Sequence, residues 1–160
     1  MHSVLLLGAG KIGRMIVRLL SETGDYEIVV ADALSESLER IISHPEIASG
    51  VTTKVVDASN PAQLADAMKG CDSVISALSY RFNKRIAEVA LKQGLSYFDL
   101  TEDVETTKSV RRVSEGAAAR QVFMPQCGLA PGFISIVANQ VIKSFDQVET
   151  VHMRVGALPQ

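Results

Sequence analysis

The 160-residue sequence predicts an α/β domain built on a doubly wound parallel sheet, and two observations lead to this fold class. Short apolar or β-branched runs alternate along the chain with longer segments whose apolar residues recur at helical spacing. The first run leads directly into a G-x-G-x-x-G turn, which in turn opens an amphipathic segment. Six such runs with five intervening helices predict the strand order 3-2-1-4-5-6.

The first predicted strand and helix enclose the glycine-rich turn. Residues 4–7 are a continuous apolar run, which is typical of a strand buried on both faces. The second strand, at residues 28–31, ends at Asp32, about 20 residues beyond the last glycine of the turn. The helix between these strands is predicted from apolar residues on one side: Ile12, Met15, Ile16, Leu19 and Leu20.

The elements between residues 33 and 94 begin and end at recognisable signals. Ser35 is expected to cap the second helix, which stops before Pro45. Asn60-Pro61 opens the third helix and Gly70 closes it, the usual asymmetry of helix ends. The third strand is predicted at residues 51–56, the fourth strand at 73–77, and the fourth helix ends at Gly94.

The last part of the chain is expected to leave this fold. A fifth strand at 95–100, a long helix at 103–120 and a sixth strand at 121–124 complete a Rossmann domain assigned to residues 1–130. An apolar helix at 133–142, expected to be buried, and an alternating strand at 148–155 follow. Because such a strand needs neighbours on its apolar face, residues 131–160 are assigned to a connecting helix and the first strand of a truncated second domain.

The glycine-rich turn predicts a dinucleotide site. Gly8 allows the tight turn, Gly10 lets the backbone approach a pyrophosphate, and Gly13 lets the helix pack on the strand. The first N–H groups of the helix and its dipole favour the phosphates. The alternative is a turn in a domain that has lost its ligand. The predicted cofactor-binding residues are Gly8, Ala9, Gly10, Lys11, Ile12, Gly13, Asp32, Ala33, Asp57, Ser76, Ala77 and Leu78.

Two acids at strand ends determine which dinucleotide is expected. The carboxylate of Asp32 would accept hydrogen bonds from the adenosine ribose and repel a 2′-phosphate, and no arginine occurs at residues 33–37, so NAD is favoured over NADP. The alternative role for Asp32 is to cap the helix that follows. Asp57, after the third strand, is predicted to contact the adenine amine, the alternative being an ordinary loop acid.

Small residues at the end of the fourth strand predict room for the nicotinamide half of the cofactor. Ser76, Ala77 and Leu78 would line this crevice beside the point where the strand order reverses. Tyr80, just beyond, would stack on the ligand or donate a hydrogen bond to it; an ordinary tyrosine at the start of a helix is an equal alternative.

No catalytic group can be assigned from the sequence. Asp99, Glu102 and Asp103 could bind a substrate ammonium or act as a base, but acids at a helix start are the preferred interpretation. Cys127 has no basic neighbour nearby, so a structural role is preferred to a nucleophilic one. The remaining candidates are scattered or expected to be solvated: His2, His44, His152 and Arg154.

The composition excludes several classes of protein. A hydrophobic content of 47%, a charged content of 21% and a net charge of −2 suggest neither a disordered chain nor a nucleic-acid-binding surface. No apolar run approaches the roughly 20 residues that span a bilayer, and the amino terminus has no leader-like segment. Cys71 and Cys127 lack metal-ligand spacing, so we expect no metal and a reducing, cytoplasmic location.

Four blocks of the sequence resemble the amino-terminal part of the saccharopine dehydrogenase-like family. They are G-A-G-K-I-G at residues 8–13, S-A-L-S-Y at 76–80, Y-F-D-L-T-E-D at 97–103 and Q-C-G-L-A-P-G at 126–132. The last two are the more specific, because many dehydrogenases share the glycine motif. The resemblance covers essentially the whole chain, and residues 156–159 are similar to the family's transition into its second domain.

The resemblance implies a dinucleotide-binding domain, a separate α/β substrate domain and a reaction at a carbon–nitrogen bond of a lysine-derived or similar amino acid. It also implies a homodimer formed through the second domain, and a fragment that shows no turnover by itself. At Asp32 the chain is similar to NAD-using members such as lysine 6-dehydrogenase, because the NADP-using reductases have a basic or small residue there.

Two alternatives compete with the enzyme hypothesis. One is a non-catalytic NAD-sensing module like those attached to potassium channels, which share the glycine turn and the acid. The block at residues 126–132 and the apolar helix after it favour the enzyme. The other is a scaffold whose pocket no longer binds a ligand. Fold alone does not decide between these functions.

Overall fold

The computed structural model describes residues 1–47 and 50–156, and its centre is one six-stranded sheet. Every pair of neighbouring strands is parallel, in the order β3-β2-β1-β4-β5-β6, so the predicted fold class and strand order are confirmed. The strands are β1 (His2–Leu7), β2 (Tyr26–Asp32), β3 (Val51–Val55), β4 (Ser73–Ser76), β5 (Ser96–Asp99) and β6 (Phe123–Met124).

The helices pack on both faces of this sheet. Helices α1 and α2 cover one face, while α3, α4 and α5 cover the other. A short 3₁₀ turn, Tyr80–Phe82, precedes α4. The helices are α1 (Lys11–Thr23), α2 (Ser35–Ile42), α3 (Pro61–Met68), α4 (Asn83–Gln93), α5 (Val104–Ser114) and α6 (Phe133–Ile142). Among the described residues, none of these helices has the length and apolarity that a bilayer span requires.

The first strand is buried on both faces, as its apolar run predicts. Leu5 and Leu7 pack into the core beneath α3, α4 and α5, whereas Leu6 packs into the core beneath α1 and α2. All three side chains are at most 1% exposed. Successive strand residues point to opposite faces, so β1 contributes to both cores at once. Its carboxyl end, where the glycine turn begins, is therefore a rigid support.

Three predicted boundaries are wrong. Leu34, and not Ser35, occupies the cap position of α2, because the Asp32 side chain accepts the Leu34 N–H and closes that turn. Helix α5 ends at Ser114 instead of extending to residue 120. A tight turn at residues 118–121 then redirects the chain, since Gln121 N–H donates to the Ala118 carbonyl oxygen. Strand β6 is consequently limited to Phe123–Met124.

The segment after residue 132 differs most from the expectation. Helix α6 is present, but none of its residues is buried, and Phe133 and Ile136 are 58% and 68% exposed. Residues 148–155 are not a strand, because neither edge of the sheet, β3 or β6, pairs with them. Without a partner strand, an alternating segment has no ladder of hydrogen bonds. The assignment of residues 131–160 to a second domain stays a prediction, and residues 157–160 lie outside the described chain.

Candidate functional site

Two of the three glycines in the turn after β1 are required by the backbone and its close contacts. Gly8 has φ +108°, and a Cβ there would lie 2.9 Å from the Ala77 carbonyl oxygen. A Cβ on Gly13 would lie 1.9 Å from the Gly8 carbonyl oxygen, so α1 approaches the turn more closely than any side chain allows. These contacts agree with a tight turn at Gly8 and a close approach of the helix to that turn at Gly13.

Gly10 is different, because none of the described residues requires glycine at this position. Its φ of −70° and ψ of −169° are ordinary extended values, and no atom lies within 4 Å of the position of an added Cβ. That open space lies at the amino end of α1, where Gly10 is the cap residue. A side chain at this position would fill only the space in front of the helix. An anion could therefore approach the backbone at Gly10 without meeting a side chain.

The amino end of α1 is electrostatically suited to an anion. No side chain caps it, and its first turn contains no acidic residue. The first N–H groups of any helix have no partner within that helix, and the dipole places partial positive charge there. Lys11, exposed in the structure, is the first residue of this helix. Phosphate oxygens at this end would meet backbone donors and favourable charge together.

Asp32 lies at the end of β2, beside the glycine turn. Its Oδ2 accepts the Ala9 N–H at 2.8 Å, and its Oδ1 accepts the Leu34 N–H at 2.9 Å. A carboxylate has about four lone-pair sites, so these two hydrogen bonds leave capacity for ribose hydroxyl groups. The capping alternative is not borne out in its strict form, because Asp32 closes the turn before α2 through the Leu34 N–H, and no side chain caps the helix itself. The ribose contact stays a prediction.

A small cleft next to Asp32 has a suitable position for the adenosine half of a dinucleotide. Its volume is about 110 Å³. The predicted residues Asp32, Ala33, Asp57 and Leu78 come together in its wall. The remaining lining residues are mostly apolar: Leu7, Ala31, Val56, Ala58 and Phe82. The apolar wall could contact the face of a ring, and the two carboxylates at one side are hydrogen-bond acceptors.

The carboxylate of Asp57 is exposed and ionised in this cleft. Hydrogen bonds from the Ser59 hydroxyl and the Ser59 N–H, both at 2.8 Å, hold its pKa below the usual range. The positive charge of Arg85 acts in the same direction. Asp57 is therefore both a turn-forming acid and an acceptor that an adenine amine could reach, so the two predicted roles are compatible.

A larger cleft of about 740 Å³ opens on the other side of the glycine turn, between the ends of β4 and β5. Ile12, Ala77 and Tyr80 line it, and Leu78 belongs to the walls of both clefts. Its rim is acidic, with Glu102, Asp103 and Glu105, and the other lining residues are Ser79, Leu100, Thr101 and Val104. The structure thus places predicted cofactor residues on both sides of the α1 amino terminus, as an extended dinucleotide requires.

Ser76 does not face either cleft. The side chain is 1% exposed, and its hydroxyl donates to Asn83 Oδ1 at 2.8 Å. Asn83 is the first residue of α4 and is equally buried, so this hydrogen bond anchors α4 beneath the end of β4. The sequence contains no signal for this pair, because an asparagine at a helix start is usually a solvated residue. Any contact from Ser76 to a cofactor would involve only its backbone.

Asp99, the last residue of β5, has a structural role. Asp99 is fully buried and accepts hydrogen bonds from the Tyr97 hydroxyl at 2.8 Å, the Thr101 N–H at 2.9 Å and the Gln126 N–H at 3.2 Å. The Asp99 carbonyl oxygen also accepts the Cys127 N–H at 2.7 Å. Asp99 therefore attaches the turn after β6 to the end of β5, and its bonds leave it unsuited to binding a substrate ammonium.

Asp103 and the Cys127 thiol also make structural contacts, and Glu102 is exposed to solvent. Asp103 caps α5 by accepting the Thr106 N–H at 2.7 Å, and this hydrogen bond lowers the Asp103 pKa. Glu102 is exposed at the rim of the larger cleft. Burial and the nearby Asp99 charge raise the pKa of the Cys127 thiol, whereas a nucleophilic cysteine needs a lowered pKa. The structural interpretation is preferred for Asp103 and Cys127.

The histidines and Arg154 lie away from the two clefts. His2 contacts the Ser73 hydroxyl at 3.1 Å at the amino ends of the strands, and His44 Nδ1 accepts the Glu46 N–H at 3.3 Å. His152 and Arg154 are exposed in the segment after α6. In the part of the chain that the structure describes, no group of three His, Cys, Asp or Glu residues is placed to hold a metal ion.

Comparison with known proteins agrees with this geometry. Residues 4–124, more than half of the chain, match the family described as Saccharopine dehydrogenase NADP binding domain. The structure of saccharopine dehydrogenase (L-Glu forming) from Saccharomyces cerevisiae is similar, with a TM-score of 0.75 and 21% identity. That match covers 90% of this chain and 31% of the yeast chain.

Two further solved structures share the fold. Vestitone reductase from alfalfa has a TM-score of 0.60 and 16% identity, with 77% of this chain and 56% of that chain covered. A Rossmann-fold NAD(P)-binding family protein from Shigella flexneri has a TM-score of 0.59 and 16% identity, with 78% and 66% covered. At these identities the similarity shows the fold alone.

The sheet order, the glycine turn and the family match lead to one conclusion. The matched residues 4–124 contain the complete six-stranded sheet apart from the first two residues of β1. They also contain the glycine turn, Asp32 and the residues that line the two clefts. The chain belongs to the saccharopine dehydrogenase NADP-binding domain family and is a nicotinamide-dinucleotide-binding domain.

Proposed function

We propose that this chain is the NAD-binding part of an oxidoreductase that acts on a carbon–nitrogen bond of an amino acid such as lysine or saccharopine. The observation that carries the proposal is the cleared amino terminus of α1 at Gly10, with clefts on both sides of it. The similarity to the yeast saccharopine dehydrogenase supports the substrate class. This chain spans 31% of that protein's length, so the substrate contacts are assigned to a part of the protein that the chain does not include.

In this proposal the residues of the chain bind and orient the cofactor. The backbone N–H groups at the amino end of α1, from Gly10 to Gly13, contact the pyrophosphate, whereas those of Gly8 and Ala9 donate within the protein. Asp32 accepts hydrogen bonds from the ribose hydroxyls, and Asp57 accepts one from the adenine amine. Ala77 and Leu78 line the space for the nicotinamide half. The hydride chemistry belongs to the nicotinamide ring, and this domain supplies orientation and electrostatics.

We further propose that NAD is preferred to NADP. The Asp32 carboxylate lies at the adenosine cleft, where the charge of a 2′-phosphate would be repelled. The residues after it, 33–37, contain no arginine to receive the phosphate. The name of the family refers to NADP, so direct competition between the two cofactors decides this part of the proposal.

The alternative is a non-catalytic NAD-sensing module. It is favoured by one observation, namely that Asp99, Asp103 and Cys127 are engaged in structural contacts and supply no acid, base or nucleophile. A dehydrogenase domain that leaves substrate chemistry to another part of its protein would look the same. The block at residues 126–132, which the family resemblance includes, favours the enzyme.

Calorimetric titration of the chain with NAD and with NADP tests the binding proposal, and we expect NAD to bind more tightly. The reaction is tested on the protein that carries this domain, by adding lysine or saccharopine with NAD and following NADH absorbance. Amino-acid-dependent reduction supports the enzyme. Tight NAD binding without turnover of either amino acid supports the sensor, and no binding of either cofactor refutes both.

A further inference from the structure

The carboxylate of Asp32 joins two separate backbone segments. Oδ2 accepts the N–H of Ala9, in the glycine turn, and Oδ1 accepts the N–H of Leu34, at the start of α2. The distances, 2.8 and 2.9 Å, are those of well-formed charge-assisted hydrogen bonds. Both oxygens are thus engaged by the protein itself, independently of any ribose.

The turn that Asp32 contacts is tightly restrained at its other points. The Gly8 N–H donates to the Ala31 carbonyl oxygen at 2.8 Å, and Gly13 packs directly against the Gly8 carbonyl. Ala9 is 3% exposed and is followed by Gly10, which borders the open space for the pyrophosphate. The Asp32–Ala9 hydrogen bond therefore acts at the point where the restrained part of the turn meets the phosphate-binding part.

We infer that Asp32 is a positioning residue for the glycine turn, which it holds in its phosphate-accepting geometry before a dinucleotide binds. This role is additional to its contact with the ribose, and the inference rests on the proposed dinucleotide binding. Each of the two N–H groups needs a hydrogen-bond acceptor, and the Asp32 carboxylate provides one oxygen to each. Asparagine supplies only one, because its NH₂ group would face an N–H donor at the other position.

The inference changes what an exchange of Asp32 does to cofactor choice. A neutral residue removes the repulsion of a 2′-phosphate, which by charge alone should convert the site towards NADP. It also weakens the hydrogen bond from the Ala9 N–H, because an uncharged oxygen is a poorer acceptor than a carboxylate oxygen, so the pyrophosphate contacts of both cofactors are weakened. We therefore expect Asp32→Asn to lose more affinity for NAD than the missing ribose contact alone accounts for. For the same reason, its affinity for NADP should be lower than the removal of the charge repulsion alone would give.

The experiment separates the two roles with an NAD analogue that lacks the 2′- and 3′-hydroxyls of the adenosine ribose. If Asp32 also positions the turn, Asp32→Asn binds this analogue roughly ten- to a hundredfold more weakly than the unmodified chain, the effect of one charged hydrogen bond. The matched control is Asp72→Asn. Asp72 Oδ2 accepts the Ser3 N–H at 2.8 Å near the opposite end of β1, so this variant loses the same charge without touching the turn.

A second measurement needs no ligand. In the ligand-free unmodified chain, the Ala9 amide should be protected from hydrogen exchange and shifted downfield in its NMR spectrum. Both signatures should weaken in Asp32→Asn, whose single acceptor oxygen carries no charge, and remain in Asp72→Asn. Thermal unfolding records whether each variant is folded.

Each outcome decides the inference. An Ala9 amide that exchanges freely in the unmodified chain overturns it, whatever Asp32→Asn does. Equal affinity of Asp32→Asn and the unmodified chain for the analogue also overturns it, and leaves Asp32 with a ribose contact only. If neither NAD nor NADP binds while Ala9 is protected by Asp32, the proposed function fails and the positioning role stands.

Discussion

Replacing Gly10 with valine should abolish dinucleotide binding and leave the domain folded. The backbone at Gly10 has φ −70° and ψ −169°, which valine adopts readily, and no atom lies within 4 Å of the new Cβ. The stability should therefore change by less than about 0.5 kcal/mol, the usual range for a surface position without special contacts.

The effect on binding should be much larger, because the valine methyl groups would occupy the space in front of α1. A pyrophosphate displaced from this helix end loses charge-assisted hydrogen bonds worth about 1.5–3 kcal/mol each. Losing two of them costs about 3–6 kcal/mol, which corresponds to a loss of more than a hundredfold in affinity. Titration calorimetry measures this loss, and thermal unfolding measures the stability of the same sample.

Gly13→Ala is the matched comparison, because it places one methyl group on another glycine of the same turn. Here we expect the stability of the fold to be lowered, which Gly10→Val should leave unchanged. Its Cβ would lie 1.9 Å from the Gly8 carbonyl oxygen, so the helix must move away from the turn and the unfolding temperature should fall. Wild-type NAD affinity in a folded Gly10→Val protein would refute the site. An unfolded Gly10→Val protein would refute the open space described at the end of α1.

Three further predictions concern cofactor choice, the exposed segment and a helix cap. The unmodified chain should bind NAD at least tenfold more tightly than NADP, since one charged hydrogen bond from Asp32 contributes about 1.5–3 kcal/mol; equal affinities in competitive titration would mean that the acid does not select. Met153 is 53% exposed, so its side chain is available to contact a second copy of the chain. If the apolar side chains near residue 153 mediate self-association, Met153→Lys should shift the chain towards monomer in light scattering and leave the NAD affinity unchanged. An unmodified chain that is already monomeric contradicts this. Asp103→Ala should lower the unfolding temperature most at neutral pH. Because the pKa of Asp103 is depressed in the folded protein, its stabilising effect is complete above the ordinary carboxyl pKa and is lost as the pH falls through the pKa of the folded state. A difference between variant and unmodified chain that persists in strong acid would be inconsistent with this role.

The parts of the fold that the sequence predicts are those decided by local spacing. The apolar run at residues 4–7, the three glycines and Asp32 follow one another at separations that only a strand, a turn, a helix and a second strand accommodate. Strand order then follows from the handedness and length of the crossovers, because a parallel connection has little choice of topology. For that reason the sheet and the glycine turn could be predicted from the sequence.

The roles of individual polar side chains could not be predicted in this way, because their partners are distant in sequence. Ser76 is occupied by Asn83, and Asp99 binds the backbone of Gln126 in a different segment. Whether a carboxylate is free for a ligand depends on which donors the fold brings to it, and spacing along the chain carries no such information. The same limit applies to Asp32, whose two backbone partners became visible only in three dimensions.

The segment after residue 132 shows the same division between local and tertiary information. Its helix was predictable, because helical hydrogen bonds form within the segment, and α6 spans Phe133–Ile142 as expected. Burial of α6 and strand formation at residues 148–155 require surfaces from elsewhere in the molecule. Within residues 1–47 and 50–156, residues 147–154 line an open groove with α6, but no residue of α6 is buried and no strand pairs with residues 148–155. The sequence by itself therefore determined the sheet, its order and the glycine turn. Only the tertiary structure decided which polar groups remain available and which apolar faces are covered, because both depend on contacts between segments far apart in the chain.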